Sequence, residues 1–121
     1  MTIDYTFIDT VPSAEDFCRL RVISGMSPRP LEGARAGLPR SCYGVHILYE
    51  GVPVGMGRIV GDGALNFEIV DVAVDPAHQG KGLGRQIVQK IVAWLALPVD
   101  ACHVGAGAFI RSEERRVGKE C

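Results

Sequence analysis

The sequence has almost no net charge, no long apolar run and no paired cysteine motif, and each absence excludes a class of protein. Its 13 basic and 14 acidic side chains leave a formal charge of −1, so nothing global attracts nucleic acid or an acidic membrane surface. No apolar run approaches the ~20 residues of a membrane-spanning helix, and the polar start at Met1–Asp4 does not resemble a secretion signal. We therefore expect a cytoplasmic protein whose partner is neither nucleic acid nor membrane.

The cysteines and histidines are scattered. None of the four cysteines forms a CxxC pair, and the three histidines show no spacing typical of metal ligands. Buried or free thiols are therefore expected, without a disulfide framework or a metal site. With 121 residues, of which 47% are apolar, the chain is long enough for one globular domain with a modest core.

Apolar periodicity predicts an α+β fold. A strand at Tyr5–Ile8 is followed by a helix that Ser13 caps and Gly25 closes. Residues 27–39 form a loop with a turn or two of helix near Leu31–Ala36. Alternating apolar residues then predict three antiparallel strands at 43–49, 52–60 and 65–74, and the clearest helical spacing runs from 83 to 95. A weaker strand is predicted at Ala101–Ala108.

The third strand of this meander changes the phase of its alternation. Apolar residues occupy odd positions 65, 67 and 69, and then even positions 70, 72 and 74. Such a switch indicates either a β-bulge near Ile69 and Val70 or a strand that is buried on both faces.

The segment between this strand and the last helix predicts an anion site. It reads Asp75-Pro-Ala-His-Gln-Gly-Lys-Gly-Leu-Gly84, and its glycines permit left-handed dihedrals and leave backbone N–H groups unshielded. A turn of this kind at a helix N-terminus directs N–H donors and the positive end of the dipole at a phosphate, and Lys81 and Arg85 add charge. A P-loop is excluded because Gly82, not Ser or Thr, follows Lys81. A dinucleotide fingerprint needs glycine at the position of Arg85.

The run Gln79-Gly-Lys-Gly-Leu-Gly84, preceded by Val72-Ala-Val-Asp-Pro76, resembles the acetyl-CoA motif of the Gcn5-related N-acetyltransferase (GNAT) family, and the order of elements from Tyr5 to Leu95 agrees. The resemblance implies a three-layer α/β fold with a mixed, mostly antiparallel sheet flanked by helices. It also implies that acetyl-CoA is the co-substrate. The pyrophosphate is then held by Gln79, Gly80, Lys81, Gly82, Leu83, Gly84 and Arg85, and the pantetheine arm pairs with the strand edge at Val72, Ala73 and Val74.

The same resemblance implies catalytic roles. Glu68 matches the position of the family's glutamate base, which often acts through water, and the N–H of Val74 would stabilise the thioester oxyanion. The alternative for Glu68 is a plain carboxylate on the solvent face of the strand, and Asp71 is a second candidate base. The family's general acid is usually a later tyrosine, but no tyrosine follows Tyr49.

The C-terminus departs from the family pattern. The family's last helix and closing hairpin have no counterpart, and Arg111–Cys121 is charged and aperiodic. Its residues resemble the translation of a sequencing-library adapter; a genuine solvated tail is the alternative. We therefore expect a partial GNAT domain at 1–110, incomplete at its C-terminus, and a non-native tail at 111–121.

Three functions remain open at this stage. The first is an N-acetyltransferase that acts on a small-molecule primary amine by direct attack in a ternary complex. The second is a non-catalytic acyl-CoA-binding module of the same fold, and the third is a generic anion-binding domain. Five arginines precede the second strand and either recruit a carboxylate- or phosphate-bearing amine or form a solvated basic face: Arg19, Arg21, Arg29, Arg35 and Arg40. Nothing in the sequence decides whether the protein is a homodimer.

Overall fold

The structure, a computed structural model, describes residues 4–96. The elements are β1 (Tyr5–Ile8), α1 (Ala14–Ile23), α2 (Leu31–Gly37), β2 (Tyr43–Tyr49), β3 (Val52–Gly61), β4 (Phe67–Val74) and α3 (Leu83–Leu95), with short 3-10 turns at Leu38–Arg40 and Pro76–His78. They confirm the predicted order. The strand predicted at Ala101–Ala108 and the tail at 111–121 lie outside the described residues.

One antiparallel sheet in the order β1-β2-β3-β4 separates two helical layers. On one face, α3 packs Ile87, Ile91 and Leu95 against the sheet, and on the other face α1 and α2 pack around Phe17 and Leu20. The described residues therefore have the predicted three-layer architecture, and the strand pairs of their sheet are all antiparallel. Across these 93 residues (4–96), no helix is both long and apolar enough to cross a lipid bilayer.

The phase switch in β4 is a β-bulge. Met56 of β3 pairs with Ala73, whereas Arg58, two residues later on β3, pairs with Val70, three residues earlier on β4. β4 thus carries one extra residue, and Asp71 adopts a left-handed φ of 58° at that point. The bulge lies one to two residues beyond its predicted place.

This extra residue explains the apolar pattern of β4. Before the bulge, Phe67 and Ile69 are buried against α3. Beyond it, Val72 and Val74 pack on that same side of the sheet, and the side chain of Ala73 joins the core under α1 and α2. Because side chains alternate along a strand, one inserted residue moves the apolar set from odd to even positions.

The predicted start of β4 at residue 65 is wrong. Leu65 is 70% exposed and precedes the strand, which begins at Phe67. The side-chain Oδ1 of Asp62 accepts the backbone N–H groups of Ala64, Leu65 and Asn66 at 2.8, 2.8 and 3.0 Å, which closes a compact turn there. The same N–H groups, that of Asn66 foremost, hold the pKa of Asp62 well below its usual range.

Helix α1 buries an arginine that its apolar pattern did not predict. Val22 and Ile23 are 55% and 39% exposed, whereas Arg21 is only 4% exposed. The Nη1 of Arg21 donates to Oδ1 of Asp71 at 2.5 Å, and the Nε of Arg58 donates to Oδ2 of the same carboxylate at 2.7 Å. We call these three side chains the Asp71 triad; it ties α1 and β3 to the bulge.

The first prediction concerns this triad. Asp71→Asn keeps the volume and the tolerance for left-handed φ but leaves two largely buried guanidinium groups without their shared anion. We expect a loss of about 3 kcal/mol in the free energy of unfolding, measured by urea denaturation. The control is Glu32→Gln, which removes an exposed ion pair with Arg35 and should cost less than about 1 kcal/mol. Equal losses in the two variants would contradict a structural role for the triad.

The second prediction concerns Gly57, which lies opposite the bulge. A Cβ at this position would lie 2.5 Å from Cγ2 of Ile87 and 3.2 Å from Cδ1 of Ile91, both in α3. We expect Gly57→Ala to lower the free energy of unfolding by about 1–3 kcal/mol through overpacking. Gly37→Ala, where no atom lies within 4 Å of the new Cβ, is the control. An unchanged urea midpoint for Gly57→Ala would show that α3 is less closely packed than the structure indicates.

Candidate functional site

The outer edge of β4 and the loop after it enclose one groove of about 270 Å³. No described strand pairs with this edge of β4. Eight residues line the groove: Val72, Ala73, Val74, Gln79, Gly80, Gly82, Leu83 and Gly84. The structure thus places both parts of the predicted cofactor site, the strand edge and the glycine loop, around a single cavity. Lys81 and Arg85 are exposed and are not among its lining residues.

The backbone of Val74 points into this groove. The N–H of Asp75 donates to the carbonyl of Val54 at 2.8 Å, so these two residues form a hydrogen-bonded pair of the ladder. Hydrogen-bonded and non-hydrogen-bonded pairs alternate in antiparallel strands, so the N–H and C=O of Val74 point away from β3. Its carbonyl accepts from Nε2 of Gln79 at 2.9 Å, which joins the loop to the strand edge.

The loop needs its glycines for backbone conformation rather than for space. Gly80 and Gly82 have φ of 83° and 79°, but a Cβ at either position would meet no atom within 4 Å. Gly82 is the N-cap of α3 and provides no side-chain cap, and the first helical bond runs from the N–H of Gln86 to the carbonyl of Gly82. The preceding N–H groups of the first turn therefore need a partner from outside the helix, and an anion is well suited to them.

An aromatic cluster anchors the start of the loop. The hydroxyl of Tyr5 hydrogen-bonds with Nδ1 of His78 at 2.8 Å, and the Tyr49 ring lies 4.7 Å from the His78 ring. Burial, and to a lesser extent Tyr49, raises the pKa of Tyr5. Sequence reasoning missed this contact, since Tyr5 and His78 are 73 residues apart and no role was assigned to either side chain.

Glu68 and Asp71 differ in their surroundings. Glu68 is half-buried and pairs with Val60 across the sheet. Because its neighbours Phe67 and Ile69 face α3, its side chain points to the layer of α1 and α2. Val72 is four residues further along β4, and because the bulged Asp71 lies between them the separation is less than the roughly 13 Å of four extended residues. Asp71, the second candidate base, instead has both carboxylate oxygens held by arginines.

Most of the arginines before β2 are used within the fold. Arg19 pairs with Asp16, Arg21 with Asp71, and Arg35 with both Glu15 and Glu32. Arg29 only donates to the hydroxyl of Ser27, at 3.2 Å, and within residues 4–96 Arg40 makes no ion pair. The basic face predicted from the sequence is therefore largely neutralised by the chain's own acids.

Comparison with known sequences finds acetyltransferases. Residues 13–107 match the model of the acetyltransferase (GNAT) family. The chain is 46% identical over 43 residues to a chloroplastic serotonin N-acetyltransferase 2 of Oryza sativa subsp. japonica, which covers 36% of this chain and 22% of that enzyme. It is 51% identical over 39 residues to a chloroplastic GCN5-related N-acetyltransferase 2 of Arabidopsis thaliana, 32% of this chain and 15% of that protein. The matched stretch thus spans less than a quarter of these relatives.

Comparison with solved structures covers more of the chain. A probable acetyltransferase of unknown function from meticillin-resistant Staphylococcus aureus superposes with a TM-score of 0.74 and 32% identity, over 90% of this chain and 74% of that one. A GNAT family protein from Streptococcus pneumoniae TIGR4 gives a TM-score of 0.65 at 24% identity, over 96% of this chain and 83% of that one. At that identity the second likeness shows the fold alone.

Proposed function

Because this chain belongs to the GNAT acetyltransferase family, we propose that it binds acetyl-CoA and transfers the acetyl group to a primary amine of a small molecule. The observation that carries the proposal is the groove, in which the edge of β4 that no described strand pairs with meets a glycine loop at a helix N-terminus without a side-chain cap. A diphosphate suits the loop, and an extended chain of amides suits the edge.

Binding of the co-substrate uses mainly backbone groups. The N–H groups from Gln79 to Arg85 hold the pyrophosphate, and Lys81 and Arg85 add positive charge at the surface. The pantetheine amides add to the edge of β4 at Val72–Val74 as a further strand would. The N–H of Val74, which points into the groove, donates to the oxygen of the thioester carbonyl as negative charge develops there.

Transfer follows direct attack in a ternary complex. The neutral amine attacks the acetyl carbonyl, the new C–N bond forms, and the C–S bond breaks to release CoA as a thiolate that is then protonated. Glu68 accepts the proton that the amine loses. Because Glu68 is not among the residues that line the groove, the proton passes through water.

A non-catalytic acyl-CoA-binding module is the second candidate. It is favoured by the position of the proposed base, since Glu68 is not among the residues that line the groove. A binding module would use the same groove and loop as the enzyme but would not transfer protons. Binding and turnover must therefore be measured separately.

The third prediction concerns the contribution of the glycine loop to CoA binding. Gly82→Ala places a side chain on a left-handed residue, at a cost of about 1–2 kcal/mol, so the binding conformation is less populated. We expect the Kd for CoA, measured by isothermal titration calorimetry on the whole chain, to rise roughly 5- to 30-fold. Gly51→Ala is the matched control, because Gly51 has a φ of 80° and equally open surroundings in the β2–β3 turn. Equal effects of the two substitutions, or ATP binding as tightly as CoA, would argue against this loop as a CoA site.

The fourth prediction separates the enzyme from the binding module. Glu68→Gln removes the proposed base and keeps the shape of the side chain, so acetylation of an amine panel should fall by about 10²- to 10⁴-fold. The Kd for CoA should stay within about twofold, since Glu68 is not among the residues lining the groove. Glu50→Gln, in the exposed turn after β2, is the control. Unchanged turnover in Glu68→Gln would exclude Glu68 as the base, and absence of turnover in the parent chain would favour the binding module.

A further inference from the structure

A second cavity, of about 250 Å³, opens between the α1/α2 layer and β3. Its walls are mainly apolar, formed by Phe17, Pro30, Ala34 and Leu38. Its polar lining consists of the side chains of Arg29 and Arg58, with no carboxylate among the described residues around it. Apolar walls with a few convergent polar groups are typical of a small-molecule site.

The two arginines leave positive charge in this cavity. Arg58 shares the carboxylate of Asp71 with Arg21, so one anion balances two guanidinium groups, and the Arg58 side chain is only 19% exposed. The Nη1 of Arg58 donates to a neutral hydroxyl, that of Ser41, at 3.0 Å. Within the part of the chain that the structure describes, Arg29 likewise donates only to the hydroxyl of Ser27. An anion that enters the cavity would meet the largely buried guanidinium group of Arg58 and the exposed one of Arg29, and both can form charge-assisted hydrogen bonds with it.

The cavity lies close to the groove described above. Arg58 pairs across the sheet with Val70, two residues before Val72 at the rim of the groove. The bulged Asp71 lies between Val70 and Val72, so their separation is less than the roughly 7 Å of two extended residues, a distance that a short aliphatic chain spans. Glu68 points to the same face of the sheet as Arg58. A small molecule that binds in the cavity therefore lies on the same face of the sheet as Glu68.

We propose that this cavity binds an anionic group of the acceptor, and that the acceptor is a small amine that also carries a carboxylate or a phosphate. The inference rests on the proposed acetyl transfer and adds the substrate class. Arg29 and Arg58 bind the anion, the apolar walls contact the connecting carbons, and the amine reaches the thioester. The volume suits a small molecule rather than a segment of polypeptide.

The test compares matched pairs of acceptors that differ in charge. β-Alanine is compared with β-alaninamide and O-phosphoethanolamine with ethanolamine, each with acetyl-CoA and the whole chain. We expect kcat/KM to be at least about tenfold higher for the charged member of one pair, and the pair with the larger ratio identifies the anion. Equal rates within both pairs would overturn the proposal.

Substitution of arginines shows whether the preference for anionic acceptors arises in this cavity. Arg29→Gln removes a cavity arginine that the fold does not use in an ion pair, and it should lower the preference for the anion about tenfold, through KM. Arg40→Gln is the matched control, because Arg40 is exposed and lies outside the cavity lining. Arg58 is left unchanged, since its loss would disturb the Asp71 triad. Indistinguishable behaviour of the two variants would place anion recognition elsewhere and overturn the proposal.

A binding measurement keeps this proposal separate from the proposed function. The same four amines are tested by saturation-transfer NMR without acetyl-CoA. If none is acetylated but a charged amine binds and Arg29→Gln abolishes binding, the cavity assignment holds and the acetyl transfer fails. If no charged amine binds and none is acetylated, the cavity assignment is overturned as well.

Discussion

The carboxylate of Asp71, held between Arg21 and Arg58, is the interaction on which the rest of the structure depends. Burying three charges is costly, and it is tolerated here because both carboxylate oxygens are hydrogen-bonded and the ion pairs are short. The contact joins residues 50 and 13 positions apart in sequence, so it fixes α1 and β3 relative to β4. It also holds Asp71 at a positive φ, a conformation that costs free energy in a residue with a side chain.

The bulge fixed in this way connects the core to the groove. Because one residue is inserted, apolar side chains on both sides of it can pack against α3, while Asp71 itself turns to the opposite layer. Gly57, opposite the insertion, has no side chain to keep α3 away. With α3 close to the sheet, its N-terminus lies beside the edge of β4, and the amide of Val74 and the loop face one cavity. Core packing and site geometry thus have the same origin.

Local chemistry accounts for what the sequence predicted well. The alternation of β1 to β3, the Ser13 cap, the spacing of α3 and the glycine loop depend on neighbouring residues. The phase switch predicted either a bulge or a strand buried on both faces, and the observed bulge lies one to two residues beyond the predicted place. The features that the sequence did not predict depend on contacts between distant residues or on side chains that compete for backbone hydrogen bonds. The burial of Arg21 depends on a partner 50 residues away, and Tyr5 meets His78 across 73 residues. Leu65 fits the apolar alternation and is therefore predicted to lie in β4. Its backbone N–H instead donates to the side chain of Asp62, so the strand begins only at Phe67.

The groove and the cavity differ in the groups that they offer to a ligand. The groove offers mainly N–H groups and a helix N-terminus, which most side-chain replacements leave intact, so only glycines at positive φ are strictly required there. The cavity at Arg29 and Arg58 offers side chains. The fold pairs Arg19, Arg21 and Arg35 with its own acids. Because Arg58 shares Asp71 with Arg21, the cavity keeps a net positive charge although the chain as a whole is nearly neutral. A protein built in this way can keep its donor site constant and change its acceptor through a few side chains on the α1/α2 side of the bulge.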